Sequence, residues 1–160
     1  MGRLGQALGL DAWGAHSAGL FEECGKAVLF RHASDRYRKL LAQATSDEEL
    51  LMLEHVEFGV SHDALGAALC ESWGLEPSAV ASVRFHVIVN TTRELPMQLP
   101  RRGICALSAL AYALMTDPDS LDEVAMAVAP QAGLDPALVL RGARKVQEQI
   151  EAAVAREAAD

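Results

Sequence analysis

Glu57-Phe58-Gly59-Val60-Ser61-His62-Asp63-Ala64-Leu65-Gly66-Ala67-Ala68-Leu69-Cys70-Glu71-Ser72-Trp73-Gly74-Leu75-Glu76-Pro77 contains one helix together with its start and stop signals. Ser61 is a side chain that accepts from free N–H groups at a helix start. Leu65, Ala68, Leu69 and Trp73 recur at helical spacing and are expected to face a core. Gly66 lets a neighbouring helix come close. Gly74 supplies the left-handed residue that ends a helix, and Pro77 suits the first position of the next one.

The same punctuation recurs in both directions. Ser46 with Glu49, and Ser120 with Glu123, have capping-box spacing. Asp135-Pro136 marks another start, and Gly133 another stop. Helices are expected over residues 12–24, 26–32, 35–44, 47–57, 63–73, 77–86, 101–115, 121–129 and 136–156, with no strand. In the last of these, Val139, Ala143, Val146, Ile150 and Val154 form the expected buried stripe. Residues 87–100, with Asn90, Thr91, Thr92, Pro96 and Pro100, read as the one long irregular segment.

Composition agrees with an all-α, compact multi-helix bundle formed by a single domain, residues 1–160. Of the 160 residues, 51% are hydrophobic and only 5% aromatic, so the apolar mass lies in helix formers. The net charge of −8 opposes binding to nucleic acid or anionic lipid. Cys24, Cys70 and Cys105 are odd in number and widely spaced, which suits reduced thiols in the cytoplasm. The apolar run 104–115 is too short to span a bilayer, so no membrane partner is expected.

The quoted stretch resembles the most recognisable segment of HDOD domains. Upstream, Ala18-Gly19-Leu20-Phe21-Glu22-Glu23-Cys24-Gly25-Lys26-Ala27-Val28-Leu29 resembles that family's segment with a His-Asp pair, here replaced by Glu22-Glu23. Residues 80–86 resemble its histidine-ending helix and residues 121–154 its closing helices, so the resemblance covers about 8–154. It implies an HD-domain-like helical fold corresponding to the C-terminal portion of the family's domain. The usual N-terminal lobe has no counterpart, as in a fragment or a shortened relative.

Catalytic relatives in the wider HD superfamily hold a metal through His and Asp side chains. Glu22 and Glu23 supply no imidazole, and neighbours on a helix point roughly 100° apart, so no metal and no cofactor is expected. Two carboxylates holding Mg²⁺ would need further oxygen ligands; the other reading is a solvated or Arg-paired acidic pair. His86 reads either as a ligand residue or as a cation at a helix end. His62 either faces a ligand or lies on the surface. Glu22, Glu23, His62 and His86 are thus the candidate ligand or interaction residues.

Other features carry less. Glu23 beside Cys24 should raise the thiol pKa. Arg31, Arg36, Arg38, Lys39 and Lys26, with Arg101-Arg102 apart from them, read as solvated faces or a phosphate grip. Trp13 and Trp73 suit interface anchors, Trp73 also the core.

The resemblance and the lost His-Asp pair imply a non-catalytic regulatory or protein-interaction module in bacterial signal transduction. The alternatives are a residual metal phosphohydrolase using Glu22, Glu23 and His86, and an anionic-ligand or nucleotide sensor using His62, His86 and a basic side chain. A protein partner is expected, as is a homo-oligomer, because a missing lobe would uncover apolar surface.

Overall fold

The computed structural model describes residues 1–158; Ala159 and Asp160, the end of the expected 1–160 unit, lie outside them. The chain forms α1 (Gly2–Ala7), α2 (Ala12–Phe21), α3 (Cys24–His32), α4 (Ser34–Gln43), α5 (Asp47–Phe58), α6 (His62–Ser72), α7 (Pro77–Thr92), α8 (Leu99–Thr116), α9 (Leu121–Val128) and α10 (Pro136–Glu157). Short 3₁₀ turns at Pro118–Ser120 and Pro130–Ala132 flank α9, and no strand occurs among the described residues. The expected all-α bundle is what the chain forms.

At the centre lies α8, in which every residue from Ile104 to Leu110 is buried. A helix apolar all round must be enclosed on all sides. It is enclosed chiefly by α7 and α9, with α2 and α1 alongside; α7 also packs on α6, and α6 on α3. Leu107, Leu110, Val124, Val128 and Val139 fill the main core.

Several start and stop signals act as read. Gly59, Gly74 and Gly133 take positive φ, Pro77 and Pro136 open α7 and α10, and Asp135 accepts from Ala137 N–H. Ser46 caps α5 by accepting from Glu49 N–H. The Glu49 carboxylate returns one residue earlier than a capping box requires, to Thr45 N–H and Oγ1.

Other expectations need correction. The segment 87–100 is mostly helical: α7 runs to Thr92 and α8 starts at Leu99. Burial of Val87 and Val89 beside α8 outweighs the weak helix propensity of the Asn and Thr residues. Thr91 and Thr92 donate to the carbonyls of Val87 and Ile88, so their hydroxyls are satisfied within the helix. Pro100 sits in the first turn of α8, where a missing N–H costs nothing.

The buried face of α6 is rotated from the expected one and consists of His62, Asp63, Gly66, Ala67 and Cys70. Trp73 is 54% exposed and lies against Phe21 at 5.3 Å between ring centroids. Ser61 donates to the Asp63 carboxylate instead of capping, and Ser120 donates to Asp117 O, so the second capping box does not form. In α10, Val139, Ala143 and Val146 are buried while Ile150 and Val154 are exposed. Trp13 is also exposed.

Candidate functional site

The chain breaks between α2 and α3, and the break sits at Glu22 and Glu23. Glu22 is the residue after α2 and Glu23 the one before α3. The two carboxylates therefore lie at a corner rather than on one continuous helix, which corrects the geometry assumed for them. Gly25, directly after, allows α3 to touch α6: a Cβ built there would stand 1.9 Å from the His62 carbonyl oxygen.

His62 is fully buried, not on the surface. Its Nδ1 lies 2.7 and 2.9 Å from the two oxygens of Glu54, and its backbone N–H donates to the same carboxylate at 2.7 Å. Glu54 is itself fully buried and also accepts from Tyr37 Oη at 2.5 Å. Burial and the Glu54 carboxylate both hold the Tyr37 phenol above its usual range.

His86 does not end its helix. It lies inside α7, buried, with Nδ1 2.8 Å from Val83 O. Val83 O only accepts, and both Glu54 oxygens already accept, from Tyr37 Oη and the His62 backbone N–H, so both imidazoles present an N–H at Nδ1. Each Nε2 is out of contact with solvent and has no hydrogen-bond partner, and it offers a lone pair when its ring is neutral.

Glu23 faces both lone pairs. Its Oε1 is 3.6 Å from His86 Nε2 and its Oε2 4.0 Å from His62 Nε2. Lys26 Nζ holds Oε2 at 3.0 Å and also reaches Asp47 at 3.2 Å. Burial pushes the Glu23 pKa up, but His86 and Lys26 outweigh it and hold it at about 2. Burial likewise lowers the His86 pKa, and the carboxylates of Glu23 and Glu22 more than reverse that.

Glu22 turns elsewhere, accepting from Ser108 Oγ at 2.8 Å, and burial raises its pKa despite His86 and Ser108. Of the four candidate residues, Glu23, His62 and His86 converge, with ligating atoms all within 4.8 Å of one another. Glu22 borders this set without joining it. The expectation of no metal rested on carboxylates without imidazole, and that premise fails because α6 and α7 deliver two imidazole nitrogens to Glu23. Two imidazole nitrogens and a carboxylate oxygen are a donor set that suits a divalent transition ion.

Several of the remaining candidates are occupied structurally. Arg36 pairs with Glu57 and lies over Phe58, Arg38 lies over Phe30, and Arg102 donates to the carbonyls of Pro96, Met97 and Gln131. All three cysteines are free. Burial pushes Cys70 to about 11 and Cys105 to about 12. Cys24 is raised as expected, by burial first and only lastly by Glu23.

An all-α bundle built around a buried histidine–carboxylate centre is the class that fold and site define. The HDOD domain family model matches residues 1–89, more than half of the chain, and the chain belongs to that family. The match takes in Glu23, His62 and His86 and stops short of the resemblance read at 121–154. No curated protein matches, and no solved structure matches.

Proposed function

We propose that the chain is a non-catalytic regulatory module of bacterial signal transduction that acts in the cytoplasm through a protein partner. HDOD family membership supports association with signalling. The observation that supports the non-catalytic part is burial of the histidines: both Nε2 atoms are out of solvent contact. Glu23, the third member of the set, is half-exposed, so the centre is closed on its imidazole side alone.

The test is hydrolysis. Purified protein incubated with cyclic dinucleotides, nucleotides and simple phosphodiesters in Mg²⁺, Mn²⁺ or Fe²⁺ is expected to show no turnover above buffer. Robust turnover that disappears in Glu23→Gln or His86→Gln would overturn the proposal. It would favour the second reading, an HD-type metal-dependent phosphohydrolase, whose support is the pair of uncommitted imidazole nitrogens.

Self-association belongs to the same proposal. Trp13 and Trp73 are large aromatic side chains at the surface, and tryptophan is enriched at binding hot spots. Light scattering at micromolar concentration is expected to give a dimer mass; a clean monomer contradicts this part.

A further inference from the structure

We infer that Glu23, His62 and His86 bind one divalent transition-metal ion of the Zn²⁺, Fe²⁺, Mn²⁺ or Co²⁺ class. The inference concerns the same centre as the proposed function but does not depend on whether that centre turns over a substrate.

Unmet polar demand is the first argument. Among the described residues only four buried side-chain polar atoms lack a hydrogen-bond partner, and two of them are the facing Nε2 atoms of His62 and His86. A buried polar atom without a partner costs about 1–3 kcal/mol, so two side by side need an explanation. In the neutral Nδ1–H form each Nε2 is an acceptor with no donor at hydrogen-bonding distance. An ion satisfies both at once.

The gaps between Glu23 and the two imidazoles are also wider than those of a carboxylate hydrogen-bonded between two protonated rings. Such bonds span about 2.7–2.9 Å, whereas Glu23 stands 3.6 and 4.0 Å from the two nitrogens. Those gaps match donors arranged around something. With metal–ligand bonds of about 2.0–2.2 Å, the edge of a tetrahedron is roughly 3.4 Å, so the three ligating atoms, which lie within 4.8 Å of one another, would draw together on the ion.

The support behind the ligands is the second argument. Metal-binding imidazoles donate their other N–H to a carboxylate or backbone carbonyl, which fixes the ring and makes it a better base. His62 donates to Glu54, backed by Tyr37; His86 donates to Val83 O. Both rings are thus anchored on the side away from Glu23. Two nitrogen donors and one oxygen donor favour a transition ion over Mg²⁺, which prefers oxygen throughout.

Equilibrium dialysis of chelator-stripped protein against Zn²⁺ or Co²⁺, with elemental analysis, is expected to return one ion per chain. At a hundredfold excess over Kd the ion should raise the melting temperature by roughly 5–10 °C. Glu23→Gln changes a half-exposed side chain and should leave the fold intact while weakening binding at least about a hundredfold. His86→Gln should do the same, and Glu22→Gln should retain the ion.

Folded wild-type protein that takes up no stoichiometric ion overturns the inference, as does full-affinity binding by Glu23→Gln. Bound ion without hydrolysis leaves the proposed function and this inference both standing. Hydrolysis by the loaded protein would remove the former and keep the latter.

Discussion

Gly25→Ala is expected to destabilise the protein by about 3 kcal/mol or more, far beyond the effect of the same exchange at Gly66. A Cβ on residue 25 meets the carbonyl oxygen, carbonyl carbon and Cα of His62 at 1.9, 2.7 and 2.9 Å. All three are backbone atoms of the first residue of α6, so relief requires α3 and α6 to separate rather than a side chain to rotate. At Gly66 the nearest atoms are Val83 Cγ1 at 3.2 Å and Cys24 Sγ at 3.3 Å, both side-chain atoms able to give slightly. Gly66→Ala should therefore cost about 1 kcal/mol. In a chain of this size Gly25→Ala should lower the melting temperature by roughly 6–12 °C. Equal midpoints for the two variants in thermal unfolding would refute the close helix approach. Because His62 moves with that backbone, Gly25→Ala should also weaken ion binding, and Gly66→Ala far less.

What the sequence could and could not convey follows from the range of the interactions. Helix termini are local: Ser46, Gly59, Gly74, Pro77, Gly133 and Asp135 act within a turn of themselves, and they were legible. The α7 extension was not, because Val87 and Val89 become helical by packing on α8, a partner distant in sequence. The phase of α6 is hidden from the local sequence for a related reason. Its outer residues Leu65, Leu69 and Trp73 are more apolar than its buried ones, and the burial of His62 and Asp63 depends on partners from elsewhere.

The site was half legible. Glu22, Glu23, His62 and His86 were singled out from residue type and family resemblance, but which of them meet is a tertiary fact. Glu54 and Tyr37 went unnoticed. A signal for Glu54 existed: it stands four residues after Leu50, and the two share the buried phase of α5. An acidic residue in register with a core leucine requires a partner, since a lone buried charge is strongly unfavourable. Nothing local could reveal that the partners would be His62 and Tyr37.

Glu54 is where fold and site are joined, and two substitutions there should separate its roles. Glu54→Ala removes the acceptor for Tyr37 Oη, the His62 backbone N–H and His62 Nδ1–H, all enclosed by the bundle. Leaving such donors stranded is expected to cost roughly 3–5 kcal/mol, seen as a large loss of unfolding free energy in urea. Glu54→Gln keeps the shape and one acceptor, so stability should fall by only about 1–2 kcal/mol. Its amide oxygen must stand where Glu54 Oε2 accepts the His62 backbone N–H, which puts the NH₂ in the Oε1 place, a donor beside both Tyr37 Oη and His62 Nδ1. The ring meets a donor best by moving its proton to Nε2, which removes the lone pair directed at Glu23. Ion affinity should then drop about 10–100-fold in a protein that remains folded. Nitrogen NMR of the imidazoles distinguishes the two tautomers directly. A Glu54→Gln variant that keeps His62 protonated on Nδ1 and binds Zn²⁺ as wild type does would show that Glu54 supports the bundle without setting the chemistry of the centre.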